Sequence, residues 1–535
     1  MSDEPRDPWW DEADEDADAD LGGGLDGDLE GDLEGDLEGD LEDGVPWVDD
    51  ESDGSRRSAS ARAARSPAAR LVVLVVLAAL VAGGVVLGRR SVRTDRPRAA
   101  GNAADNASVP PRGALSTSWY CAAGSSVDGG AGDETIAIGN LSTSVVRATI
   151  TVLPGGETAP RSRAVRLAAY EQVRVRVGDV LAVASPGVLV EVTGGQAVVE
   201  HELRGGGDLA VGACAHEPSR RWVFAAGSTA KGATDVLELF NPFGDDAIVD
   251  VSFVTDGGVV APSDVQGFSV PRLSKVRVPV TDLVPRQDHV AAIVQARTGR
   301  VVAEQVLTSD GTTQPAGFAA ELGVTRPRSQ WTLPFGTTGD GRTNSVVIAN
   351  AGLAPAQVVV QVVLPGQGLL EPQPVTVPSR SVVAVDPGGR VGAFGGFAVR
   401  ITTARGTPVV VDAVLGAGAG AEGRGLAMAG AATRGTRRWA IAGSPPGSAT
   451  SLDAVNLTGR PITVEVRAYT AGDRESPRSS PAFAVAPGKS VHLDLPELGI
   501  RPDQVVQVFA DGPIVVGREI YAPGESASLA VPVAG

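Results

Sequence analysis

The sequence predicts a mainly β protein: four tandem immunoglobulin-like β-sandwich repeats that follow one transmembrane helix and a disordered acidic N-terminal tail. Three observations carry that expectation. Trp119, Trp222, Trp331 and Trp439 recur at spacings of 103, 109 and 108 residues. Leu71 to Gly88 is a run of eighteen residues with no charged or polar side chain. Residues 1 to 55 hold 24 acidic residues against the single Arg6.

The tail comes first. Its like charges repel and it has little apolar surface to bury, so residues 1–55 are expected to be disordered. Inside it Gly-Asp-Leu-Glu repeats from Gly27, Gly31, Gly35 and Gly39, which reads as an acidic spacer and not as a calcium loop. Pro-Trp followed by acids stands at both ends of that spacer, at Trp9-Trp10 and at Trp47. Tryptophans with no core to enter suggest a docking motif, in which the rings fill pockets on a basic cytoplasmic protein and the carboxylates meet its rim.

Residues 56–70 form a basic juxtamembrane segment, and 71–88 is the expected transmembrane helix, about 27 Å long at about 1.5 Å per residue. Five arginines flank it on each side, so charge bias leaves the orientation open. The run is longer than a signal-peptide core and lacks a small-residue cleavage site before Arg89-Arg90, which favours an uncleaved signal anchor. The expected location is therefore the cell membrane, single-pass, with a cytoplasmic N-terminus and an extracytoplasmic C-terminal ectodomain. Ala79 and Gly83, and Gly84 and Gly88, are spaced as in close-packing helix pairs, which admits a homodimer.

After a linker, 89–114, the long-period repeat gives four β units: 115–216, 217–325, 326–433 and 434–535. Each tryptophan is followed by a glycine and then an asparagine: Asn140, Asn241, Asn350 and Asn456. Val-rich segments alternating with period two come next, bounded by Gly, Pro and Asp turns. Units of about 105 residues fit a sandwich, and four in a row would make a rod. The alternative is a β-propeller with two blades per unit. Burial between sheets explains the recurring tryptophans better than sugar stacking does.

Cys121 opens the first unit and Cys214 closes it. A disulfide between them fits an oxidising compartment, and the alternatives are two buried thiols or a metal site with His216. No cofactor or metal site is expected. Ser228-Thr-Ala-Lys231 matches a penicillin-binding pattern, but its companion motifs are missing and the segment reads as a polar turn. His201, His216, His289 and His492 have no partners placed by a recognisable motif. An enzyme is not expected. Nucleic acid is an unlikely partner for a chain of net charge −18.

The Trp, Gly and Asn series, the closing Val301-Val-Ala-Glu304 and the opening Ser118-Trp-Tyr-Cys121 resemble an uncharacterised actinobacterial membrane-anchored envelope protein family, a domain of unknown function, over residues 115–535. The resemblance implies an exported β protein and assigns no catalytic residue. In the sequence alignment of the units, Arg518 takes the place of the closing acids Glu200, Glu304 and Asp412. The expectation is a cell-envelope scaffold or interaction protein with a cell-wall or envelope-assembly partner. A second class is an ectodomain that binds cell-wall glycan or another envelope polymer.

Overall fold

The computed structural model describes residues 108–109, 114–127, 132–339, 341–392, 395–404, 407–418, 425–472, 477–522 and 528–534. The acidic tail, its Trp9, Trp10 and Trp47, and the 71–88 run lie outside the described residues. Among those described, no helix is long and apolar enough to cross a membrane, and the only α-helix is the single turn Val280–Leu283.

The chain is mainly β and its sheets are antiparallel. In the first unit the strands are β1 (Ser116–Cys121), β2 (Asp133–Asn140), β3 (Val146–Leu153), β4 (Arg161–Leu167), β5 (Gln172–Arg176), β6 (Gly187–Thr193), β7 (Ala197–Gly205) and β8 (Asp208–Ala213). They form two sheets, β1-β6-β3-β4 and β5-β2-β7-β8, that enclose one core around Trp119, Ile138, Ile150 and Val190. The second and third units repeat this plan. In the fourth, the seventeen-residue strand Val505–Tyr521 serves both sheets. The end strands are exchanged relative to an immunoglobulin domain: here the first strand pairs with β6 and the seventh with β2.

The recurring residues have structural roles. All four tryptophans are at most 1% exposed. The indole N–H of Trp222, Trp331 and Trp439 donates to the carbonyls of Val301, Val409 and Ile514 at 2.7, 2.9 and 3.1 Å, which ties the first strand to the far end of its unit. Each asparagine is fully buried and staples a turn. Asn350 Nδ2 donates to the carbonyls of Ala354 (2.9 Å) and Pro378 (3.0 Å), while its Oδ1 accepts from the Gly352 N–H (3.0 Å). Asn140, Asn241 and Asn456 repeat the first and last of these bonds and donate across the turn to the carbonyls of Ala168, Val270 and Val485, so the turn chemistry is built four times with small shifts.

The four units do not form a rod. Their last strands, β8, Gly317–Leu322, Gly425–Gly430 and Ser528–Ala530, each pack against those of both neighbours and close a ring. Together they line an axial cavity of about 90 Å³. Only one sheet of each unit reaches this axis, so the arrangement is not a propeller with two blades per unit. The ring closes because the fourth unit reaches the first: Ala440, Ala442 and Val533 join the first unit's core, and the Val109 N–H donates to the Ala534 carbonyl at 2.6 Å.

Asn350→Ala leaves three backbone groups of a buried turn without partners. It should lower unfolding free energy by about 3 kcal/mol in denaturant titration, whereas a loss under about 0.5 kcal/mol would refute the staple role.

Candidate functional site: the seams between units

The charged residues buried in this fold gather where one unit meets the next. Strand pairing sets their positions. Glu200 lies opposite Ala137, Glu304 opposite Glu238, Asp412 opposite Val347 and Gly517 opposite Asp453, each three residues before the stapling asparagine of its unit. The counterpart of the closing acids in the fourth unit is thus Gly517. Arg518 is the counterpart of His201, Gln305 and Ala413, one residue further along, and this corrects the alignment made from sequence.

Each closing acid caps the first strand of the unit before it. Glu304 accepts from the Ala122 and Ala123 N–H groups of the first unit at 3.0 and 2.8 Å. Asp412 accepts from Ala225 and from Ala226 (3.2 Å) of the second, and Glu200 accepts from Ala442 of the fourth at 3.1 Å. The Ala122, Ala123 and Ala442 N–H groups are free to donate because the strand has run past its ladder partner, and those of Ala225 and Ala226 because they sit in a bulge between the Phe224 and Gly227 pairings. At the remaining seam the first strand ends in Pro334-Phe335, and proline has no N–H to offer. There the acid is replaced by Gly517, where an added Cβ would lie 2.7 Å from Pro334, and the position beside it is the small Ala413. One of the two donors, the acceptor and the flanking polar group are lost together.

The position after the acid tunes each seam. His201, 4% exposed, lies between Glu134 (3.2 Å) and Glu304 (3.4 Å). Burial lowers its pKa, but the carboxylates of Glu304 and Glu134 outweigh that and the net shift is upward. Arg518, fully buried, spans Glu200 (3.1 Å) and the Gly443 carbonyl. Lys275, also buried, pairs with Glu238 at 3.3 Å and donates to the Gly124 carbonyl across the first seam at 2.9 Å.

Among the described residues, the second seam holds acids without a cation. Burial raises Asp412 to about 7 against the pull of the two N–H groups, and burial followed by the Asp412 charge drives Glu321 well above the carboxylate range. Glu321, at the wall of the axial cavity, is therefore the carboxyl of the pair that is held protonated. Asp235, raised to about 7 by burial, accepts from Gln305 Nε2 at 2.9 Å.

Cys121 and Cys214, both fully buried, form a disulfide that ties the end of β1 to the chain leaving β8. Their sulfurs lie near His201, but bonded to each other they offer no thiolate to a metal. His216 instead receives the Ser108 N–H on Nδ1 at 3.2 Å. Ser228 is buried in its turn, its hydroxyl accepting from Gln314 Nε2 at 2.7 Å and thus committed to structure. The structure does not bring Ser228, Lys231 and a histidine together in any contact. His492 pairs with Asp453 at 3.0 Å within the fourth unit. Sequence reasoning passed over His201, whose partners lie 67 and 103 residues away along the chain and follow no motif spacing.

Geometry thus defines an all-β protein of four units joined by buried polar seams. Residues 168–496, more than half of the chain, match the profile of a family of unknown function, DUF5719. The chain belongs to that family. The match begins within the first unit and ends within the fourth. No curated protein matches the chain. Among solved structures, a tetra-tandem repeat from the extending region of a large adhesion protein is 11% identical over 76% of this chain and 97% of its own. Its TM-score of 0.09 is too low to argue from.

The seam acids fix a pH dependence. Carboxyls with folded pKa raised to about 7 contribute stability that is present below their ordinary values near 4 and is lost as pH rises through 7. The raised His201 and His492, the latter to about 8, act in the same direction, and the lowered His289 opposes them. Stability should fall from pH 5 to pH 8. Glu321→Gln, which removes a titrating carboxyl from beside Asp412, should make that fall shallower in thermal unfolding, and an unchanged slope would contradict the assignment of a proton to Glu321.

Proposed function

We propose that this protein is a non-catalytic, single-pass scaffold of the cell envelope, with residues 1–55 in the cytoplasm, 71–88 as anchor and the four-unit ring outside. The observation that carries the reading is the eighteen-residue uncharged run between two arginine clusters, followed by a folded part whose two cysteines are paired. The paired cysteines favour an oxidising compartment for the ring. The absence of catalysis is supported by the use of the buried acids, His201 and Arg518 in joining units. The acidic tail, through Trp9, Trp10 and Trp47, would engage a basic cytoplasmic protein, and the ring a cell-wall or envelope-assembly partner. Small residues in the anchor would allow a homodimer. This is also the reading that the resemblance to envelope proteins of actinobacteria favours. A ring of sandwiches with a rigid outer surface suits holding partners in fixed positions, and fold alone assigns no chemistry.

Single cysteines at Ser52 and at the exposed Ser263, in a chain with Cys121 and Cys214 changed to Ser, test the topology in intact cells with a membrane-impermeant thiol reagent. Labelling at position 263 alone is expected. Labelling at position 52 alone would invert the molecule and overturn the envelope role.

A further inference from the structure

In each unit the sheet that begins with the tryptophan strand ends at its other side in an edge strand, and the first unit's edge differs from the other three. In the second, third and fourth units it is broken in two: Gly258–Val260 and Phe268–Val270, Gly368–Leu369 and Gln373–Val377, Arg478–Ser479 and Phe483–Val485. A proline stands in each break, Pro262, Pro372 or Pro481, and interrupted, proline-bearing edges resist pairing with another chain. In the first unit β4 runs unbroken over seven residues, without proline or glycine, and pairs only with β3. Alternate N–H and C=O groups of an edge strand point away from its one neighbour. Among the described residues, the backbone groups of Arg161 to Arg166 bond to nothing but β3. Five of the seven residues of β4 are exposed.

The charge on this edge breaks the repeat as well. Arg161, Arg163 and Arg166 lie on β4 and Arg147 on β3, all four exposed. Arg147 stands directly opposite Arg166, and like charges in that position destabilise a sheet. The pairs at the same register elsewhere are Ile248 with Ser269, Gln357 with Thr376 and Thr463 with Ala484, so the fold does not demand arginine there. Arg163 likewise pairs with Ile150, where the third unit pairs Gln373 with Val360. Among the described residues, none of the four guanidiniums has an ion pair or a hydrogen-bond partner. The sheet and the turn between β3 and β4 hold two carboxylates, Glu157 and Glu191, against these four cations, which leaves an excess of positive charge.

We infer that the free edge of β4 binds an acidic segment of a partner protein as an added strand. The outward backbone groups of β4 supply the pairing, and the arginines select the side chains. Because successive residues of a strand face opposite sides, carboxylates on the incoming strand meet Arg161 and Arg163 on one face and Arg166 with Arg147 on the other. A second copy of the edge would set arginine against arginine and is disfavoured. The chain's own residues 1–55 are acidic, but the topology proposed above puts them across the membrane from the ring, and the choice of an external partner rests on that proposal. The interaction role thereby gains a surface and a partner chemistry.

Fluorescence anisotropy of the full-length chain with a labelled octapeptide of alternating glutamate and valine tests it. The peptide should bind roughly tenfold tighter than its lysine counterpart. It should exceed by a similar factor the same sequence N-methylated at two adjacent central residues, which keeps its charge but cannot pair through either edge. Arg147→Gln, Arg163→Gln and Arg166→Thr together copy the third unit's residues onto the first, so this variant should fold. It should bind the glutamate peptide roughly tenfold more weakly, with the unfolding midpoint not lowered. No binding of the glutamate peptide, or undiminished binding to the variant, would overturn the assignment. Equal binding of the N-methylated peptide would show a surface for polyanions or anionic lipid and overturn the added strand. Binding that appears only after removal of residues 1–55 would make the tail the occupant and overturn the choice of a partner. The binding is read on purified protein whatever its orientation in a membrane, so it and the labelling test fail separately.

Discussion

The ring depends on carboxylates that leave their own unit to cap the strand end of another. A buried carboxylate is costly unless hydrogen bonds answer it, and here two backbone N–H groups of the neighbour do so at the first two seams. The dependence is mutual, since those N–H groups lie past the end of the ladder at the first seam and in a bulge at the second, and would otherwise be buried without acceptors. The third seam shows the rule by its exception. Proline removes one of the two donors, and glycine and alanine remove the acceptor and its neighbour, so the contact becomes a close steric fit and no orphaned charge remains.

Within each unit a different set of bonds works independently of the seams. The tryptophan N–H and the asparagine amide tie loops to strands inside a single sandwich, and the disulfide does the same for the first unit. A unit thus holds its shape by local devices and its place by the seam acids. Adjacent acids at the second seam, cations beside the closing acid at the first and fourth, and Glu519 with Arg342 across the third make the four joints chemically distinct although their backbones repeat. That inequality fixes which unit follows which around the axis, a specificity role that buried polar groups fill in some other assemblies.

The mainly β class and the period of about 105 residues were legible in the sequence because Trp119 to Trp439 and Asn140 to Asn456 perform one local task four times, and local tasks leave fixed spacings. The seams were not legible. Glu304 meets Ala122 across 182 residues and Glu200 meets Ala442 across 242, so no spacing marks the pair. Aligning the units by sequence also slipped the fourth by one residue. In a strand that slip turns every side chain to the opposite face, and it put Arg518 where Gly517 stands. The exchanged end strands and the closed ring were hidden for the same reason: pairing partners of a first strand are a tertiary choice, equally compatible with an alternating Val-rich segment.

Ring closure between the first and fourth units is the central claim, and small-angle X-ray scattering of residues 108–535 tests it most directly. A compact body of that length should give a radius of gyration of about 22 Å, against roughly 40 Å for four such sandwiches in line. A value near the first, unchanged on dilution, is what the seams require. A value near the second would show that the Glu200, Ala442 and Arg518 contact does not hold in solution, and the closed ring with it.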